Sequence, residues 1–147
     1  MGTWAVDAFG NDFAQDWAED LHETTNMDAI ENTLDTALAD ADADGELEAP
    51  LAAEALAAIE VLARLQGKGG ERTEDSAAVD EWVDARKAAA AAKGKSPVKV
   101  RTDLAAKAQQ ALARIVSERS ELRQLWHESE HYAEWRAAVD DLAARLA

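Results

Sequence analysis

The chain has 147 residues, a formal net charge of −15 and no cysteine, so it fits one domain without disulfides, thiolate metal ligands or a cysteine nucleophile. Alanine supplies 35 of the apolar residues, valine and isoleucine together only 11, and there are 7 glycines and 2 prolines. That balance disfavours a β-sandwich and favours helices.

Trp4, Val6 and Phe9 put three large apolar residues in the first ten, which predicts a terminus packed onto the domain. Asn11 caps a first helix whose Phe13, Trp17 and Leu21 form the expected buried stripe. Asp12, Asp16, Glu19 and Asp20 fall outside that stripe. Asn26 caps a second helix with Met27, Ile30, Leu34 and Leu38 inward. A loop over 40–49 leads to Pro50, well suited to a first helical turn. The third helix, through Leu51, Leu56, Ile59, Leu62 and Leu65, is sheathed in alanine and is expected at the centre. The run Gly67-Lys68-Gly69-Gly70 ends it. A fourth helix starts near Thr73 or Asp75 and uses Val79, Trp82 and Val83. It stops at Gly94, before the turn Lys95-Ser96-Pro97. Thr102 caps a fifth helix with Leu104, Ala108, Leu112 and Ile115. Ser120 restarts the chain for Leu122, Leu125 and Trp126. Tyr132, Trp135, Val139, Leu142 and Leu146 define the last helix. The expected fold is an all-α, single-domain bundle of six or seven helices over residues 1–147, with an ordered N-terminal segment.

Charge is segregated along this chain. Residues 1–63 carry 16 carboxylates and no lysine or arginine, Arg64 being the first basic residue, whereas the remainder is nearly balanced. The segment Arg86 to Arg119 holds nine basic residues against Asp103 and Glu118. An acidic half repels nucleic acid and anionic lipid and attracts basic protein surfaces. The basic stretch has no interleaved aromatics, so no stacking platform for nucleic acid is expected. No apolar run approaches the ~20 residues of a membrane span, and Met1 to Asp7 lacks the basic and apolar regions of a secretion signal. The expectation is a cytoplasmic protein with no membrane or nucleic-acid contact.

Two motifs bear on metal chemistry. His127-Glu128-Ser129-Glu130-His131 matches H-E-x-x-H, which on one continuous helix sets two imidazoles a turn apart for zinc, with Glu128 as base. No third ligand stands out, and a helix break near Ser129 would separate the rings. Asp40, Asp42 and Asp44, followed by Gly45, match the start of an EF-hand loop. Leu51 stands where the bidentate glutamate belongs, so tight calcium binding is not expected. Gly94-Lys95-Ser96 lacks the leading glycine of a P-loop, and Pro97 follows it directly.

Met1-Gly2-Thr3-Trp4, Phe9 and Asn11-Asp12-x-Ala14-x-Asp16-Trp17 resemble the opening of a bacterial domain-of-unknown-function family, catalogued as four-two-five-nine. The resemblance continues through Glu54-Ala55-Leu56-Ala57-Ala58-Ile59-Glu60-Val61 and Trp82. It closes with Ser120-Glu121-Leu122-Arg123-x-Leu125-Trp126 and Trp135. It implies an all-helical domain, carries no assigned activity, and requires neither His127 and His131 nor the loop at 40–45.

The reading that follows is a non-catalytic acidic interaction protein without a cofactor, neutralising a basic protein partner as immunity proteins do. Its expected contact is Asp12, Asp16, Glu19 and Asp20. The alternative is a zinc-dependent hydrolase at His127, Glu128 and His131. A competing account of the acidic surface is internal, with Arg86, Lys87, Arg101 and Lys107 folded back onto these carboxylates.

Overall fold

The computed structural model describes residues 8–23, 27–39, 46–70, 72–92 and 102–146. They form seven helices: α1 (Asp12–Leu21), α2 (Asp28–Ala39), α3 (Ala49–Leu65), α4 (Ala77–Ala92), α5 (Thr102–Ile115), α6 (Glu121–His127) and α7 (Tyr132–Leu146). No strand occurs among the described residues, so the bundle is all-α, as its composition predicts.

Local chemistry starts several of these helices where their sequence says. Asn11 has extended backbone, and its Oδ1 accepts from the Ala14 amide at 2.9 Å, satisfying one of the free donors of the first turn. Ser120 does the same for α6 through the Arg123 amide at 3.2 Å. Pro50 sits in the first turn of α3, where its missing N–H costs nothing. Thr73 and Ser76 cap each other reciprocally, each accepting from the other's amide, but residues 74–76 form a turn and α4 begins at Ala77, later than the expected start near Thr73 or Asp75. Thr102 belongs to α5 itself, one position inside its expected role as cap. At the other end of α3, Gly67 has φ of 74°, the left-handed conformation that closes many helices and suits glycine.

α3 lies at the centre and touches every other described helix. Its alanines at 49, 52, 53, 55, 57, 58 and 63 are all buried, and side chains this small let neighbouring helices approach closely on all sides. Around it pack Ile30 and Leu34 of α2, Leu104, Ala108 and Ile115 of α5, and Trp126, Trp135, Val139 and Leu142 of α6 and α7. Trp126 and Trp135 stack with centroids 6.2 Å apart. The N-terminal expectation holds at Phe9, which is fully buried; Trp4 and Val6 lie outside the described residues.

One long-range knot sets the entry to α3. Leu47 and Ser120 form an isolated parallel bridge, with the Leu47 amide donating to Arg119 O at 2.7 Å and the Glu121 amide to Leu47 O at 2.9 Å. Glu48, at the N-cap position, makes no side-chain cap. Instead the Glu121 carboxylate, 72 positions away, accepts from the Ala49 amide at 2.8 Å. A carboxylate at a helix N-terminus also meets the positive end of the helix dipole.

Candidate functional site

α1 is amphipathic, and its buried face holds Trp17 and Leu21 as the spacing predicts but leaves Phe13 out. Ala14, Trp17, Ala18 and Leu21 are buried, whereas Phe13 is 36% exposed. Two members of the i, i+4 series Phe13–Trp17–Leu21 thus stay inward, and Ala14 and Ala18 complete the stripe in place of Phe13. Alanines 14 and 18 admit close contact with α3 that a phenylalanine would block, and Phe13 is displaced to the border of the helix. Trp17 is anchored at its polar end, its Nε1 donating to Thr33 Oγ1 of α2 at 2.8 Å. Gln15 Nε2 donates to Phe9 O at 2.8 Å and to Asp75 O at 2.7 Å, which ties α1 to the turn before it and to the approach to α4. His22 Nε2 lies 2.8 Å from Ala78 O and joins the end of α1 to α4.

The outward side of α1 carries Asp12, Asp16, Glu19 and Asp20, all exposed. Helical spacing gathers them, with exposed Glu23, onto one face. None makes an ion pair with any described residue. Glu54 of α3 extends this acidic surface. Its partial burial, with the negative charge of Asp20 beside it, raises its pKa above the ordinary glutamate value.

Of the four basic side chains named as internal counter-charges, Lys107 pairs away from α1. Lys107 of α5 reaches α2, with Nζ 2.7 Å from Asp35 and 3.9 Å from Glu31. Its pKa is raised, first by the hydrogen bond to Asp35. Arg86 lies over the Trp82 ring, and Arg101 lies outside the described residues. Arg114 of α5 donates to Ala37 O at 3.0 Å, capping a helix whose own last turn contains no basic residue.

A second charged cluster is buried. Glu60 and Arg64 of α3 and Asp80 of α4 are only 5%, 7% and 7% exposed. Arg64 Nη1 donates to Asp80 Oδ1, and its Nε lies 3.4 Å from Glu60 Oε1. Ser76 Oγ donates to the other Asp80 oxygen at 2.7 Å. Glu60 also accepts from the Gly70 amide at 2.7 Å and from two guanidinium nitrogens of Arg145 of α7. The Arg64 guanidinium lies over the Phe9 ring, 5.4 Å from its centroid. Glu60, Arg64 and Arg145 border a groove of about 500 Å³ between α3 and α7, lined also by Phe9, Leu56, Val139 and Leu142. These ion pairs join α3 to α4 and to α7. Helical pattern could have shown only the i, i+4 pair Glu60–Arg64 of this cluster; the partners on α4 and α7 left no trace in the sequence.

The histidine motif is divided by the fold. α6 ends at His127 and α7 begins at Tyr132, with Glu128 to His131 forming the turn between them. The imidazoles therefore lack the one-turn register of a continuous helix. His127 packs edge-on against Tyr132 at 5.0 Å, and His131 Nδ1 lies 3.5 Å from Glu134 at an exposed position. Among the described residues, no group of three or more His, Asp or Glu side chains is placed to hold a metal ion. Asp40, Asp42 and Asp44 lie outside the described residues. No described helix is long and apolar enough to cross a membrane.

The architecture is thus that of an all-helical protein built on one alanine-rich axial helix, with an acidic face on its first helix. The chain belongs to the family described as Domain of unknown function (DUF4259), whose model matches residues 2–138. No curated protein and no solved structure matches the chain.

Proposed function

We propose that this is a non-catalytic interaction protein that engages a basic protein partner through Asp12, Asp16, Glu19 and Asp20, in the manner of an immunity protein neutralising its target. The observation that carries this reading is the exposed carboxylate face of α1, which has no ion pair to any described basic residue. Lys107 of the basic half pairs with Asp35 and Glu31 of α2. An acidic face of this kind speeds the encounter with a basic surface and makes the association sensitive to ionic strength.

The test is affinity capture at low salt with the wild-type protein and the variant D16K/D20K as matched baits. Asp12 stays unaltered because it also serves the N-terminus of α1. A basic protein held by the wild type, released by raising the salt and missed by the folded variant supports the proposal. A partner bound equally by both baits and retained at high salt rejects it.

A further inference from the structure

We draw no further inference here: the strongest candidate, the groove between α3 and α7 lined by Phe9, Leu56, Val139 and Leu142, is bordered by carboxylates and guanidiniums that already answer one another, and nothing in the structure shows what covers it.

Discussion

Glu60 and Arg145, 85 positions apart, meet in a two-point ion pair, with Nη1 3.1 Å from Oε1 and Nη2 2.9 Å from Oε2. This fork fastens the last turn of α7 to the middle of α3. Arg145 continues to Lys68 O at 2.8 Å and to Asp141 at 2.9 Å. Burial alone would lower its pKa, but the bonds and charges of Glu60 and Asp141 raise it. Through Glu60 the fork is joined to Arg64, and through Arg64 to Asp80 of α4. Three helices thus share one buried cluster.

Removing one member of such a cluster leaves its partner's charge buried, which typically costs about 3–5 kcal/mol. Asp80→Ala should therefore lower the melting temperature by roughly 6–20 °C at this chain length. Arg72 and Asp84 form a comparison pair, with nitrogen and oxygen 3.1 Å apart and both side chains more than half exposed. Arg72→Ala should leave the melting temperature nearly unchanged, because water and salt screen an exposed pair. Thermal unfolding followed by circular dichroism measures both; equal effects would contradict the assignment of the buried cluster.

Glu54 gives stability a pH dependence of definite sign. Its folded pKa lies above the ordinary value of 4.5, first through desolvation and then through Asp20. The folded state therefore holds this proton more tightly than the unfolded chain does. Its contribution is fully present below the ordinary value and is lost as pH rises through the raised one. Glu54→Gln should melt higher than wild type near pH 7, with the gain disappearing below the glutamate range. Asp20→Asn should bring the Glu54 titration down, as read by carboxyl NMR. A Glu54 titration indifferent to Asp20 would contradict the coupling.

Phe9 tests how firmly the start of the described chain is docked. Its ring is fully buried, beneath the Arg64 guanidinium. Phe9→Ala should cost about 3–5 kcal/mol, the usual range for deleting a buried aromatic side chain. Urea unfolding gives this value directly. A loss below about 1 kcal/mol would mean that the segment contributes little to the core.

His127 ends α6 whereas His131 lies in the turn before α7, and a zinc site needs convergent ligands. Elemental analysis of the purified protein should find no stoichiometric zinc. The His127→Ala/His131→Ala variant should match wild type in metal content. One zinc per chain, lost in that variant, would instead reveal a rearranged turn.

The helical class and most helix starts were legible in the sequence because they rest on contacts within a few residues. Asn11 and Ser120 cap by bonding amides three positions on, Pro50 needs only its own ring, and Gly67 only its own φ. The axial place of α3 was legible too, since a helix apolar on every side has to be enclosed. The likeness to the family model lay in residue identities alone.

The face that α1 buries was decided by tertiary packing. Spacing placed Trp17 and Leu21 inward, but it also favoured Phe13, which is exposed while Ala14 and Ala18 are buried, because which edge of a stripe is covered depends on the partner's shape. The partners of the charges were decided the same way. Glu60 with Arg145, Arg64 with Asp80 and Glu121 with the Ala49 amide join positions 85, 16 and 72 residues apart. A charge in the sequence specifies sign but no direction, and only the folded chain brings one within reach of a particular partner. The exposed carboxylates were readable as acidic from composition; that Lys107 turns to Asp35 and Glu31 instead of to them follows from the packing of α5 against α2.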